Sequence, residues 1–279
     1  MGNAGGPQAE CVAVIEVVEY TDPWCSWAWG TEPKLRRLRW RYGDRLAWRT
    51  VLGDLVADRA IARPDFDATR AAPKMAMYWH EVHEHTSMPW PEHLQRAPQL
   101  SAIAGQAVKA AELQGAAAAS TLLRATRESC FVHCAPADTL PRVLALADTL
   151  DGVDAKQLRD DFDRDDVIGA FAADREETRR PNAYALTLQE THVGKGNAKP
   201  DGDGWRYAFP TILFRGLGGE HTVPGWQPWD AYVSALDAAE PGSAADPRPD
   251  PTLDETLATW PTLTEFEIRF LSGSVRATP

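Results

Sequence analysis

Two rhythms of apolar and polar positions open this chain. Residues 12–20, Val-Ala-Val-Ile-Glu-Val-Val-Glu-Tyr, form a β-branched run of strand type. Asp22-Pro23 breaks it. From Ser26 to Tyr42 the spacing becomes helical, with Leu35 and Leu38 on one face and Lys34, Arg36, Arg37 and Arg41 elsewhere. Pro33 falls inside that stretch and predicts a kink or a short first turn. Gly43-Asp44 ends the helix, and residues 46–52 read as a second strand. A β-α-β opening favours a parallel pair joined by a right-handed crossover.

The pattern then turns Ala-rich. Helices are expected near 69–85, 101–114, 118–132, 139–150, 155–162 and 165–178, with a Pro-rich loop at 88–98 and glycine caps at Gly115 and Gly152. Residues 180–207 carry Gly194, Gly196, Gly202 and Gly204 and read as a long loop or flap. Strand character returns at 209–215, with a turn at 216–219, a short strand near 221–223 and a helix at 229–239. A Pro/Gly/Ala/Asp linker at 240–251 leads to two short helices, 252–260 and 263–271. The order βαβ, helical block, ββα predicts an α/β fold whose mixed sheet is split by a helical insertion. It divides into a tail (1–10), a sheet-bearing domain (11–66 with 208–240), a helical insertion domain (67–180), a loop or lid (181–207) and a helical appendage (241–279). In such a fold the start of the first helix should lie beside the turn that opens the third strand.

Charge narrows the partners. A formal net charge of -11 argues against nucleic acid or an anionic membrane, because phosphate binding needs clustered Lys and Arg. The basic run 34–41 reads as a solvated helix face. No run of about 18 apolar residues occurs, so no membrane span is expected. Residues 1–10 lack the basic start and apolar core of a secretory signal, which gives the expectation of a cytoplasmic protein. Four cysteines in 279 residues do not make a disulfide scaffold.

The chemistry concentrates in residues 20–30, Tyr-Thr-Asp-Pro-Trp-Cys-Ser-Trp-Ala-Trp-Gly. Cys25 stands where a strand ends and a helix begins. There the first-turn amides of Ser26, Trp27 and Ala28 and the helix dipole favour a thiolate, while the neighbouring tryptophans oppose it by desolvation; a lowered pKa is expected. Three residues on, where a dithiol site would carry its second cysteine, the chain has Ala28. Trp24, Trp27 and Trp29 either line an aromatic groove or pack the core. Asp22 is a strand-end turn residue or a proton-transfer partner. Cys130 and Cys134 flank His133 and read as free thiols, as does Cys11. His80, Glu81, His83, Glu84 and His85 do not match a zinc spacing and read as a solvated helix face, so no metal is expected.

Three stretches resemble the DsbA-like branch of the thioredoxin superfamily. They are Tyr20-Thr-Asp-Pro-Trp-Cys-Ser-Trp-Ala-Trp-Gly30 with Glu32-Pro-Lys-Leu-Arg-Arg-Leu, then Gln106-Ala-Val-Lys-Ala-Ala-Glu-Leu-Gln-Gly115 with Leu122-Leu-Arg-Ala-Thr-Arg-Glu128, and Phe209-Pro210-Thr211. Within that branch the chain looks closest to cytoplasmic proteins described as predicted dithiol-disulfide isomerases linked to polyketide biosynthesis. The resemblance covers roughly 12–240. It implies a thioredoxin-like domain with an inserted helical domain and a groove between them. Cys25 would be the nucleophile. Pro210, expected cis, would place the Phe209 backbone to pair with a peptide-like substrate or small thiol. The chain departs from the dithiol pattern at Ala28, since the second thiol normally resolves the mixed disulfide. The leading expectation is therefore a single-cysteine oxidoreductase or isomerase. It would bind no cofactor tightly and use a low-molecular-weight thiol as co-substrate on an organic substrate or protein client. A non-catalytic protease adaptor on the same fold is the alternative. A third is an enzyme of secondary metabolism like kappa glutathione transferases and chromene-carboxylate isomerases.

Overall fold

The computed structural model describes residues 14–56, 66–188 and 196–273. The expected tail and Cys11 lie outside them. Strand β1 (Ile15–Thr21) is central. It pairs in parallel with β2 (Leu46–Leu52) and antiparallel with β5 (Thr211–Gly216), which pairs in turn with β6 (Gly219–Pro224). The four-stranded order is β2-β1-β5-β6. Both faces of β1 are covered, which explains its nearly unbroken apolar run. Ile15 and Val17 face helix α1 (Ser26–Tyr42) and helix α9 (Trp229–Ala239), meeting Leu35, Leu38, Tyr232 and Leu236. Val18 and Tyr20 face the other way, toward Cys25, Ala28, Tyr207 and Phe209. A leucine buried this fully contributes about 1.5–3 kcal/mol relative to exposure.

Helices α2 (Ala68–Thr86), α3 (Ala102–Glu112), α4 (Ala116–Phe131), α5 (Leu140–Ala147), α6 (Ala155–Phe162) and α7 (Asp165–Thr178) intervene between β2 and β5. The fold is thus a thioredoxin-like domain with an inserted helical domain. Ala107, Ala111, Leu122, Leu144, Leu158 and Phe171 form the core of the block. Pro33 does not divide α1, which runs as one helix. Gly115 starts α4 at a φ of 120° rather than capping α3, whose terminal position is Leu113.

Two expectations need correction. Residues 180–207 are not one irregular loop, because they contain helix α8 (Ala183–Thr187) and a hairpin, β3 (Lys199–Asp201) with β4 (Gly204–Arg206). Pro181-Asn182 starts the helix, since the Asn182 side chain accepts from the Ala185 amide and caps it. The basic run 34–41 is not a solvated face either. Lys34 and Arg36 are each 6% exposed. The C-terminal helices α10 (Leu253–Thr259) and α11 (Glu265–Leu271), both opened by capping boxes, belong to a segment that folds back over α1. Arg37 pairs with Asp250, and Arg36 with Glu267 and the Thr262 carbonyl. Lys34 donates to the Gln227 carbonyl and lies 3.6 Å from the Trp226 ring centroid, and burial pulls its pKa down to about 7.

A buried ionic cluster joins the sheet, the insertion and the C-terminal segment. Arg127 of α4, 1% exposed, meets Glu32 of α1 and Glu19 and Thr21 of β1. Arg124, one turn earlier, makes a two-bond fork to Glu267 at 2.8 Å each.

Candidate active site

Asp22 shapes the site from below. It is fully buried, and both its oxygens are engaged. Oδ1 accepts from the Trp24 amide (2.8 Å) and the Ser101 hydroxyl (3.0 Å), and Oδ2 from the Leu55 amide (2.8 Å). Three chain segments are thereby tied to the end of β1. Burial pushes the carboxyl up to about 6, against the pull of those hydrogen bonds. The Asp22 carbonyl accepts from the Cys25 amide at 3.2 Å, which closes the turn into α1.

Cys25 is the N-cap residue of α1, in extended conformation. Its thiol donates to the Phe209 carbonyl at 3.1 Å, across 184 residues of chain. The peptide bond from Phe209 to Pro210 is cis. The first-helix start therefore lies beside the turn into the third core strand. The expected depression of the Cys25 pKa does not hold. Cys25 is 5% exposed, and burial pushes the thiol up to about 11. The Ala28 and Trp27 amides and the Arg127 charge favour the thiolate, while the Asp22 charge opposes it. Desolvation outweighs the helix start, and a carbonyl partner suits the protonated thiol.

The other residues singled out in the sequence divide. Trp24, Ser26, Trp27 and Phe209 line a groove of about 150 Å³ with Cys25. Trp24 is also anchored in the core through Nε1 to the Leu100 carbonyl at 2.8 Å. Trp29 is core alone, stacked on Phe131 and donating to the Pro89 carbonyl. Trp27 stands between His85 and Trp226. Ala28 is buried beneath the thiol and offers it only its amide. His80 packs on Trp90. Cys130 is buried among apolar side chains and Cys134 is partly exposed; both are free thiols. No group of three metal-binding side chains occurs among the described residues.

Sequence reasoning missed six groove residues: Leu55 after β2, Tyr78 and Trp79 of α2, Lys199 and Arg206 of the hairpin, and Ala208. Their proximity to Cys25 is purely tertiary. The hairpin is held in place by the Tyr207 amide donating to the Thr178 carbonyl (2.9 Å), by Arg179 pairing with Asp201 (2.6 Å), and by Tyr207 stacked on Tyr20 (4.3 Å).

Among known proteins, the chain is 26% identical over 258 residues to the ClpXP adapter protein SpxH of Shouchella clausii, covering 91% of this chain and 76% of that one. It is 26% identical over 170 residues to SpxH of Halalkalibacterium halodurans, covering 59% of this chain and 54% of that protein; the match spans about half of that relative's length. Two solved structures share the fold. A candidate protein disulfide isomerase from Nitrosomonas europaea superposes with a TM-score of 0.58 at 18% identity, covering 80% of this chain and 96% of that one. The cytosolic disulfide reductase DsbM from Pseudomonas aeruginosa superposes at 0.54 and 18%, covering 78% and 97%. No helix among the described residues is long and apolar enough to cross a membrane. The thioredoxin family signature matches residues 19–181, more than half of the sequence, and spans Cys25, β2 and all of the inserted helices α2–α7; with the DsbA-like fold around it, the chain belongs to the thioredoxin family.

Proposed function

We propose that this protein is a cytoplasmic DsbA-like thiol oxidoreductase or isomerase that works through one cysteine, Cys25, with a low-molecular-weight thiol or its disulfide as co-substrate. The observation that carries this reading is the Cys25 thiol at the start of α1, 3.1 Å from the Phe209 carbonyl beside Pro210 and facing a groove. The Cys25 sulfur attacks one sulfur of a disulfide RSSR. The S–S bond breaks, a Cys25–SR mixed disulfide forms, and the departing thiolate takes the Cys25 proton as RSH. With alanine at position 28, a second thiol from solution must resolve the adduct. Phe209 and Pro210 present backbone to the entering group, and Trp24, Ser26 and Trp27 wall it. A DsbM structure solved with GSH supports a small thiol as the partner.

Closed as it is, the site holds Cys25 protonated near neutral pH. Its alkylation by iodoacetamide should therefore rise about tenfold per pH unit toward an inflection near 11. Incubation with oxidised glutathione should add one glutathionyl mass to Cys25, located by peptide mass spectrometry, and Cys25→Ser should lack that adduct. If Cys134 takes the label and Cys25 takes none even at pH 9, thiol chemistry at this site is refuted.

The SpxH relatives, together with Ala28 and the protonated Cys25, favour a second reading as a protease adaptor. An adaptor would retain client delivery to a ClpXP-type protease in Cys25→Ser, measured as client half-life; an oxidoreductase of that client would not.

A further inference from the structure

We propose that Arg206 forms an anion subsite in the Cys25 groove, so that the disulfide or thiol accepted there carries a carboxylate or similar anionic group. This rests on the reading of Cys25 as the nucleophile.

The guanidinium of Arg206 lies 5.0 Å from the Phe209 ring centroid, over the residue whose carbonyl holds the Cys25 thiol. Its hydrogen-bond acceptor is the neighbouring Tyr207 carbonyl, at 2.9 Å. Among the described residues no carboxylate forms an ion pair with it. The acids whose charge it feels, Asp201 and Asp22, are engaged elsewhere. Asp201 is bound by Arg179, and Asp22 by the Trp24 and Leu55 amides and the Ser101 hydroxyl. Burial disfavours the Arg206 charge, and among the described residues no acid forms an ion pair with it. A partly buried guanidinium without a counter-ion favours an incoming anion, and its fork geometry matches a carboxylate or phosphate. Lys199, opposite Arg206 in the hairpin register, lines the same groove.

Apart from Ser26, the remaining walls beside Cys25, namely Trp24, Trp27, Leu55, Tyr78, Trp79, Ala208 and Phe209, are apolar or aromatic. A volume of about 150 Å³ is the space of roughly five waters, so it admits a short arm of a small molecule rather than a packed protein segment. A sulfur, two methylenes and a carboxylate fit that description. The sulfur would meet Cys25 and the carboxylate Arg206. Selection of an anion would run against the net charge of -11, so it must come from the groove itself.

The test uses three disulfides with the same two-carbon arm: dithiodipropionate (anionic), hydroxyethyl disulfide (neutral) and cystamine (cationic). Rates of Cys25 adduct formation are measured at one pH and low salt, each divided by the rate for N-acetylcysteine. The wild-type protein should rank them anionic, neutral, cationic. In Arg206→Gln the anionic-to-neutral ratio should fall about tenfold or more. Arg206→Lys should keep part of it, and added salt should shrink it in the wild type, a readout that needs no variant. A wild-type ratio at or below one, or a ratio unchanged in Arg206→Gln, overturns the subsite while leaving Cys25 as nucleophile. Failure of all three disulfides to react at Cys25 instead overturns the functional reading on which it rests.

Discussion

Gly53 backs the site in a way that one residue can test. Any Cβ at this position would run into the Phe209 ring, and the Gly53 amide is fixed by the Thr21 carbonyl at 2.8 Å. Gly53→Ala must therefore push Phe209, and with it the carbonyl that accepts the Cys25 proton. Overpacking of this kind costs about 1–3 kcal/mol. The variant should melt several degrees lower and alkylate at Cys25 faster than wild type at pH 8. Unchanged melting and unchanged alkylation together would show that Phe209 yields without cost. The place of Cys25 was legible because its signal is local, a strand-breaking Asp-Pro before a helix, whereas Pro210 was singled out only through the family resemblance carried by Phe209-Pro210-Thr211. The sign of the thiol shift was not legible, because it depends on how completely α2 and the hairpin exclude water. Arg206 was invisible for the same reason, being an ordinary residue of a Gly-rich stretch until the fold brings it over Phe209.

At the scale of elements, α1 is the informative case. Its limits, Ser26–Tyr42, and its Leu35 and Leu38 face agree with the periodicity. Its polar side misleads, because periodicity cannot distinguish solvent from a charged partner. Glu32, Arg36 and Arg127 show what lies there. Although burial works against it, the surrounding Arg127, Arg124 and Arg36 charges hold the Glu32 carboxyl down at about 2, from an ordinary 4.5. The fold therefore has the full benefit of this ion pair above pH 4.5 and loses it as pH falls toward 2, by an order-of-magnitude total of about 3 kcal/mol. Urea denaturation at pH 5 and pH 3 should show over half of that loss, about 2 kcal/mol, and Glu32→Gln should show a smaller one. Arg127→Leu leaves Glu19 and Glu32 buried without their guanidinium and should cost about 3–5 kcal/mol at pH 7. A cost below 1 kcal/mol would mean that water replaces it.

For the whole molecule, the order of the four core strands and of the helices inserted between them could be read from the sequence, since each of those elements carries its own period and its own breakers; helix α8 and the β3–β4 hairpin, too short to show a period, could not. The return of the C-terminal segment could not. Its anchor is Glu267, 0% exposed, which receives Arg124 and lies within 3.4 Å of Arg36. A chain stopped before Thr252 would strip both arginines of that partner and uncover Met88, which the Thr264 hydroxyl contacts at 3.5 Å. Such a truncation should lower the melting temperature sharply, and Glu267→Gln should do so less; an unchanged melting curve would show the segment to be dispensable. The split sheet also sets an order of events. β2, the parallel neighbour of β1, is made before the helical block, but the other edge of β1 waits for β5, with Glu16 opposite Arg215 only after the entire block has been synthesised. At about 5–20 residues per second, that interval is on the order of ten seconds. The helices between, built on local contacts, fold far faster than that. A nascent chain therefore carries a finished helical bundle beside an apolar strand with one edge open. In that interval β1 is the place where two growing copies would stick together.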